Sequence, residues 1–138
     1  ESARVPFLAR VPGKTVAGSR TRSFAELIDV YPTLVDLCGL KKPSHLQGKS
    51  LVPVLSNPEK TVRDSAYTVV LRPGMVAQSV RYKNWRYAEW GSDAEAELYD
   101  LDKDPDEYRN LASNPEYAKV VQQLSEMIAK KRDDATKN

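Results

Sequence analysis

Residue types that could do chemistry are scarce in this chain, which limits the sites it can build. His45 is the only histidine and Cys38 the only cysteine among 138 residues. Single copies of each exclude multi-histidine metal sites and zinc ribbons, and one cysteine cannot form an intramolecular disulfide. Cys38 lies in an apolar run, which favours a buried thiol. His45 lies in a polar connection, so it either faces a ligand from a loop or is simply exposed.

Acidic residues alternate along one short segment near the end of the chain. They are Asp100, Asp102, Asp104 and Asp106. The alternation is similar to that of a calcium-binding loop, but Pro105 stands where such a loop needs glycine, and residues 110–112 provide no terminal glutamate. Because Asp and Pro are common turn formers, we interpret the segment as an acidic turn that closes the last strand. We predict no metal ligand in this chain.

Aromatic and cationic residues meet on two neighbouring predicted strands. Arginine forms two-pronged hydrogen bonds to carboxylate or sulfate, and indole faces stack on sugar rings. Arg81 and Trp90 are therefore predicted, together with His45, to contact an acidic saccharide substrate. The structural alternative is that Trp85 and Tyr87 cover the C-terminal helix while Arg81 and Arg86 are solvated.

The composition is that of a folded globular protein. Hydrophobic residues make up 41% of the chain and charged residues 29%. With 21 Lys and Arg against 19 Asp and Glu, the net charge of +2 provides no global attraction for nucleic acid or for an anionic membrane. The chain contains no apolar run of signal-peptide or transmembrane length, and it opens on Glu1 rather than Met. We therefore expect a processed chain or a fragment.

Hydrophobic periodicity predicts an α+β fold. A partly alternating apolar run predicts a strand from Val5 to Val11, closed by a turn at Pro12-Gly13. Helical spacing then predicts a helix from Asp29 to Cys38, with Pro32 in its first turn and Gly39 ending it. After Arg63 the period becomes two, which predicts an antiparallel sheet of about four strands. Those strands are expected at residues 67–71, 76–82, 85–90 and 97–101.

The last predicted element is an amphipathic helix on one face of that sheet. Its apolar stripe comprises Tyr117, Val120, Val121, Leu124, Met127 and Ile128. Ser113-Asn114-Pro115-Glu116 precedes it as a capping box with proline in the first turn. The polar tail from Lys131 onward is expected to fray.

Several short motifs occur in a fixed order along these elements. They are Leu27 to Gly39 with D-x-x-P-T-L, residues 46–51 with L-x-G-x-S-L, residues 98–101 with L-Y-D-L, Asp104-Pro105 followed by Glu107, and N-L-A at residues 110–112. In this order they resemble the C-terminal part of sulfatases of the alkaline-phosphatase superfamily. Residues 79–90 are similar to the S-I-R and R-Y-R-Y-x-x-W pattern of iduronate-2-sulfatases.

The resemblance implies a division of the chain. Residues 1–60 are expected to be the end of an alkaline-phosphatase-like α/β core, consisting of a strand, a loop, a helix and a turn. Residues 61–138 are expected to be the sulfatase C-terminal subdomain, with the antiparallel meander and the terminal helix. In such enzymes a formylglycine made from a C/S-x-P-x-R motif and a calcium ion together hydrolyse a sulfate ester.

The chain contains no C/S-x-P-x-R motif, since Cys38 is followed by Gly39 and Leu40. We therefore expect no catalytic residue and no bound cofactor in this chain, with calcium and formylglycine belonging to the parent enzyme. The expected role is structural and substrate-framing, inactive alone, in an enzyme that hydrolyses sulfate esters of a sulfated uronic-acid polysaccharide. The expected partners are the N-terminal catalytic portion and the sulfated saccharide, with neither nucleic acid nor membrane.

The family implies a periplasmic or secreted location, or a lysosome-like one in a eukaryote. Two other functions stay open from the sequence. The chain could be a stand-alone carbohydrate-binding or interaction module, or it could be the C-terminal part of a related phosphodiesterase or phosphonate hydrolase.

Overall fold

The computed structural model describes residues 5–91 and 95–136, and the chain divides into two compact units. The first unit is Glu1–Asp64 and the second unit is Ser65–Asn138. The expected assignment of residues 1–60 and 61–138 to two parts of a sulfatase stays a prediction.

The first unit is built around a short helix. A 3-10 turn, Leu27–Asp29, leads into α1, Val30–Leu37, and a second helix, α2, covers Val52–Ser56. Asp29 and Cys38 are the residues that flank α1, so the predicted helix is confirmed with its end residues as caps. Gly39 follows with a φ of 65°, a left-handed conformation that glycine adopts without a Cβ penalty.

The predicted strand from Val5 to Val11 is wrong within this chain. Residues 5–11 have no regular secondary structure, although the turn at Pro12-Gly13 is present. A strand exists only through hydrogen bonds to a neighbouring strand, and the described residues form one sheet, all of whose strands lie in the second unit. Burial does not follow the alternation either, because Phe7 is 50% exposed and Leu8 is 94% exposed.

The thiol of Cys38 was also expected to be buried, and it is exposed. Its position explains the difference. Cys38 is the residue at which α1 ends, and the buried side of the helix consists of Pro32, Thr33 and Val35. Cys38 therefore belongs to the apolar run of the sequence, but its side chain is not on the buried side of α1.

The second unit contains the predicted antiparallel meander. The strands are β1, Ser65–Arg72; β2, Met75–Tyr82; β3, Trp85–Trp90; and β4, Glu95–Asp100. They lie side by side in chain order. Gly74 has a φ of 75° after Pro73, which is the arrangement of a type II turn and explains the Pro-Gly pair between β1 and β2. The predicted four-stranded sheet is confirmed.

The third helix, α3 (Ala118–Thr136), packs on one face of this sheet. Val80, Tyr87 and Leu98 are cross-strand neighbours on β2, β3 and β4, so they form one row across the sheet. Leu124 and Ile128 of α3 complete this core, and all five residues are at most 3% exposed. Because alternate residues point to opposite faces, Arg81 lies on the face away from α3.

A polar contact also joins the helix to the sheet. The hydroxyl of Tyr87 donates to Oε1 of Glu89 at 3.1 Å, and Oγ of Ser125 on α3 donates to the same oxygen at 2.7 Å. Burial first, and then the negative charge of Glu89, raise the pKa of Tyr87 to about 12. Tyr87 therefore stays a protonated hydrogen-bond donor at any ordinary pH.

The ends of α3 differ from the prediction. A 3-10 turn, Pro115–Tyr117, precedes the helix, and its cap is Asn114, whose Oδ1 accepts the N–H of Glu116 at 3.0 Å. Ser113 does not have this role, because the proline sets the start of the turn one residue later. The tail expected to fray from Lys131 is helical through Thr136, since Lys, Arg and Ala are strong helix formers. Within the described part of the chain, no helix combines the length and the apolar character that crossing a bilayer requires.

Candidate functional site

Asp29, the aspartate of the D-x-x-P-T-L motif, lies at the centre of a hydrogen-bonded network in the first unit, which we call the clip. The clip also includes Glu26, Thr33, Lys49, Leu51 and Arg63. Asp29 is fully buried. Its Oδ2 accepts the N–H of Glu26 at 2.8 Å, and its Oδ1 accepts the N–H of Lys49 at 2.8 Å. The threonine of the same motif continues the network, because Oγ1 of Thr33 donates to the carbonyl of Asp29 and accepts the N–H of Leu51 at 2.8 Å. The motif therefore fastens the loop before α2 to the start of α1.

Arg63 pairs with both carboxylates of the clip, although no motif or periodicity in the sequence indicates this residue. Its Nη1 lies 2.8 Å from Oε1 of Glu26, and its Nη2 bonds to Oδ1 of Asp29. The side chain of Arg63 is 4% exposed, so the guanidinium and both carboxylates are largely removed from water. A buried carboxylate needs a paired cation, and this requirement is the signal that could have indicated Arg63 as a structural residue.

Gly48, in the L-x-G-x-S-L motif, marks the closest approach between the two parts of the clip. A Cβ at this position would lie 2.0 Å from the carbonyl oxygen of Ile28 and 2.7 Å from its carbon. Both are backbone atoms and cannot move away like the end of a flexible side chain. The glycine is required because the loop crosses directly over the 3-10 turn.

We expect Gly48→Ala to destabilise the first unit by about 1–3 kcal/mol, because the added methyl group must push two backbone segments apart. Thermal unfolding of the variant should show a lower Tm than that of the unchanged chain. Gln47→Ala, at the exposed neighbouring position, is the matched control and should leave the Tm unchanged. An unchanged Tm in Gly48→Ala would contradict the close approach.

The second candidate region is the sheet face away from α3. Arg81, Arg86 and Tyr99 are successive cross-strand neighbours there. Nη1 of Arg86 lies 3.2 Å from Oε2 of Glu97 and 3.4 Å from Oε2 of Glu107, and its guanidinium is 5.4 Å from the centre of the Tyr99 ring. Arg86 is thus held by carboxylates and an aromatic ring rather than solvated.

The two predicted substrate contacts of this sheet share that face. Nη1 of Arg81 donates to the carbonyl of Asn84 at 3.2 Å. Trp90 pairs with Ala77, four residues before Arg81 on β2, which corresponds to a separation of about 13 Å along the strand. The indole Nε1 of Trp90 is buried and has no hydrogen-bond partner among the described residues. Arg81 and Trp90 therefore stand at opposite ends of one surface.

The other residues of the prediction are placed as follows. His45 is exposed in a turn of the first unit, between α1 and α2. Trp85 and Tyr87 lie on the helix side of the sheet, where the ring of Trp85 is 5.6 Å from that of Tyr117. The structural alternative was therefore correct for Trp85 and Tyr87 and wrong for Arg86.

The alternating aspartates near residue 100 are used to hold a turn. Oδ1 of Asp100 accepts Nδ2 of Asn84 at 2.7 Å and the N–H of Asp102 at 3.2 Å. Burial opposes ionisation of Asp100, but these hydrogen bonds and the charge of Lys103 outweigh it, so its pKa is below the usual range. Asp104 accepts the N–H groups of residues 108 and 109. Within residues 5–91 and 95–136, no three His, Cys, Asp or Glu side chains converge as a metal site would require.

Comparison with known families matches nearly the whole chain. Residues 1–134 match the family described as N-sulphoglucosamine sulphohydrolase, C-terminal. The chain belongs to this sulfatase C-terminal family. The expectation that the chain belongs to the sulfatases is therefore confirmed for this C-terminal family.

The proteins similar to this chain include a sulfatase, a protein bound to a sulfated glucosamine and a phosphonate monoester hydrolase. A Delta 4,5-hexuronate-2-O-sulfatase of Bacteroides thetaiotaomicron is 34% identical over 97% of this chain. A solved structure described as bound to its substrate, D-glucosamine-2-N,6-O-disulfate, has 30% identity over 94% of this chain and a TM-score of 0.84. The phosphonate monoester hydrolase of Agrobacterium radiobacter has 29% identity over 86% of this chain and a TM-score of 0.74. The expected correspondence with the C-terminal part of alkaline-phosphatase-like sulfatases is confirmed.

The chain spans less than a third of each of these proteins. The matched part is 30% of the hexuronate sulfatase, 28% of the glucosamine-disulfate-bound protein and 27% of the phosphonate hydrolase.

The N-L-A motif of the sulfatase C-terminal family closes one edge of the sheet. Oδ1 of Asn110 accepts the N–H of Leu98 at 3.0 Å, and its Nδ2 donates to the carbonyl of Ala96 at 3.0 Å. The N–H of Leu111 adds a bond to the carbonyl of Leu98 at 2.8 Å. An amide side chain and one residue of backbone thus replace a fifth strand along β4. In this chain the D-x-x-P-T-L, L-x-G-x-S-L and N-L-A motifs hold the scaffold together.

Proposed function

We propose that this chain is the C-terminal, structural and substrate-framing part of a sulfatase that hydrolyses sulfate esters of a sulfated uronic-acid polysaccharide. The observation that carries the proposal is the 34% identity, over 97% of the chain, to a hexuronate-2-O-sulfatase. The similarity of residues 79–90 to the iduronate-2-sulfatase pattern supports the same sugar class. The proposed location is periplasmic or secreted.

We propose that the groups that cleave the sulfate ester lie in another part of the enzyme. The chain has no C/S-x-P-x-R motif to provide formylglycine. The acidic turn does not fit calcium, because Asp100 and Asp104 already accept hydrogen bonds from neighbouring groups. We propose that calcium and formylglycine are held by the N-terminal catalytic portion, the partner of this chain. Isolated, the 138 residues are expected to release no sulfate, and metal-dependent release would contradict this proposal.

Arg81, Trp90 and His45 are the proposed substrate contacts. Arg81 provides a guanidinium for a carboxylate or sulfate group, and Trp90 provides an indole face on which a sugar ring can stack. His45 offers an imidazole from an exposed turn. We propose that they orient the saccharide, with no part in breaking the S–O bond.

Alanine at each position, in the complete enzyme, should raise KM about tenfold while kcat is retained, because such contacts are equal in the ground state and the transition state. The assay is sulfate release from a 2-O-sulfated unsaturated uronic-acid disaccharide. Arg20→Ala, at an exposed arginine of the first unit, is the control. An unchanged KM in all three variants would remove these residues from the substrate site.

A second candidate function is hydrolysis of a phosphonate monoester, supported by the similarity to the Agrobacterium enzyme. The same preparation should be assayed with a phosphonate monoester and with the sulfated disaccharide. A higher kcat/KM for the phosphonate would favour the second candidate.

A further inference from the structure

The loop between α1 and α2 carries three exposed lysines and an exposed histidine. Lys41, Lys42, His45 and Lys49 are all exposed. The sequence has no Asp or Glu from residue 37 to residue 58, so the segment contains no carboxylate to neutralise them. Although the whole chain has a net charge of only +2, the lysines of this loop add three positive charges within nine residues. Such a local concentration of charge attracts anions independently of the net charge.

The loop is held at both ends and across its middle. After Gly39, the N–H of Leu40 bonds to the carbonyl of Val35 at 2.9 Å. At the other end Gly48 lies against Ile28, and the N–H of Lys49 bonds to buried Asp29 at 2.8 Å. Between them, Nζ of Lys42 donates to the carbonyl of Gly48 at 3.4 Å. The lysines are therefore displayed on a pre-arranged backbone, which reduces the entropy lost when a ligand binds.

A shallow cavity of about 240 Å³ lies beside Lys42, one of these lysines. Pro32, Val35 and Leu40 supply its apolar lining, and Lys42, Ser50 and Asp36 supply the polar part. The carboxylate of Asp36 accepts a hydrogen bond from Oγ of Ser50 at 2.6 Å. The cavity is smaller than most ligand pockets, which measure about 300–1,000 Å³, so it suits part of a polymer. The apolar lining suits one face of a sugar ring, and the Lys42 ammonium beside it suits a sulfate group on that ring.

We propose that this loop, residues 41–49, is a binding site for sulfated polysaccharide. Lys41, Lys42 and Lys49 contact sulfate or carboxylate groups of the polymer, His45 adds a hydrogen-bond donor, and one sugar ring covers the apolar lining of the cavity. The class of ligand rests on the proposed function. The site itself does not, because binding requires no cleavage of the ester.

The test is binding of the 138-residue chain to fluorescently labelled heparin at low and at physiological salt. The triple variant K41E/K42E/K49E should bind about tenfold more weakly, and the difference should shrink as salt screens the charges. Because Lys42 also bonds within the loop, K41E/K49E is the second variant and should lose several-fold in affinity with Lys42 intact. The matched control, K60E/K119E/K130E, makes the same change of net charge at exposed lysines elsewhere and should bind like the unchanged chain.

Equal weakening in the loop variant and the control would overturn the proposal, because net charge alone would then explain binding. Equal affinity for heparin and for single-stranded DNA of similar charge would also overturn it, since the apolar lining should favour the sugar. Sulfate release by the complete enzyme is measured separately. If the unchanged chain does not bind heparin while the complete enzyme releases sulfate, this site alone is refuted. If the unchanged chain binds heparin while the complete enzyme releases no sulfate, the proposed function alone is refuted.

Discussion

Replacing Arg63 with alanine is expected to destabilise the first unit by about 3–5 kcal/mol, the usual cost of removing one partner from a buried ion pair. The guanidinium lies between the carboxylates of Glu26 and Asp29, and Asp29 is fully buried. Without Arg63, a buried carboxylate would keep only two backbone N–H donors for its charge. The loss therefore includes the cost of an uncompensated buried charge as well as that of the missing contact.

Hydrogen exchange provides the measurement, because both tryptophans lie in the second unit and do not report on the first. The amides of Lys49 and Leu51 donate into the clip. Their protection should fall about a hundred-fold or more in Arg63→Ala, since each 1.4 kcal/mol is a factor of ten. Arg63→Lys keeps the positive charge without the two-pronged geometry. The protection of these amides in Arg63→Lys should therefore lie between that of the unchanged chain and that of Arg63→Ala. Arg10→Ala, at an exposed arginine of the same unit, should change nothing, and equal effects at residues 10 and 63 would refute the clip.

The second large effect is expected from Leu124→Ala, which should destabilise the second unit by about 2–5 kcal/mol. Leu124 is fully buried against the row of Val80, Tyr87 and Leu98. The shortened side chain leaves a cavity that the sheet and α3 can fill only in part. Urea unfolding followed by the fluorescence of Trp85 and Trp90 reports directly on this unit. Gln123→Ala, an exposed neighbour on the same helix, is the control, and similar midpoints for the two variants would contradict the packing of α3 on the sheet.

The second unit could be predicted largely from sequence because its signals are local. Two-residue connections such as Pro73-Gly74 and the alternation of apolar residues determine a meander whose strands pair with their chain neighbours. The start of α3 was placed one residue early because Ser113 and Asn114 are both capping residues, and the sequence alone did not distinguish them.

The first unit was predicted less completely because its decisive contacts are distant in sequence. Arg63 and Asp29 are 34 residues apart, and no periodicity links them. The expected strand at residues 5–11 failed for a related reason, since alternation describes a strand but cannot supply its neighbour. Among the candidate site residues, Arg81 and Trp90 were correctly placed on adjoining strands. The pairing of Arg86 with Glu107 depends on the path of the chain after the acidic turn, which the sequence does not specify.

The amide of Asn110 has a further consequence for how this sheet can associate. A sheet that polymerises into a filament must accept a new strand at each of its two edges. Asn110 and Leu111 already occupy the backbone groups of Ala96 and Leu98 along β4. A strand arriving from another molecule therefore finds the Leu98 N–H and the carbonyls of Ala96 and Leu98 already bonded, which makes β4 a poor template for growth of a filament.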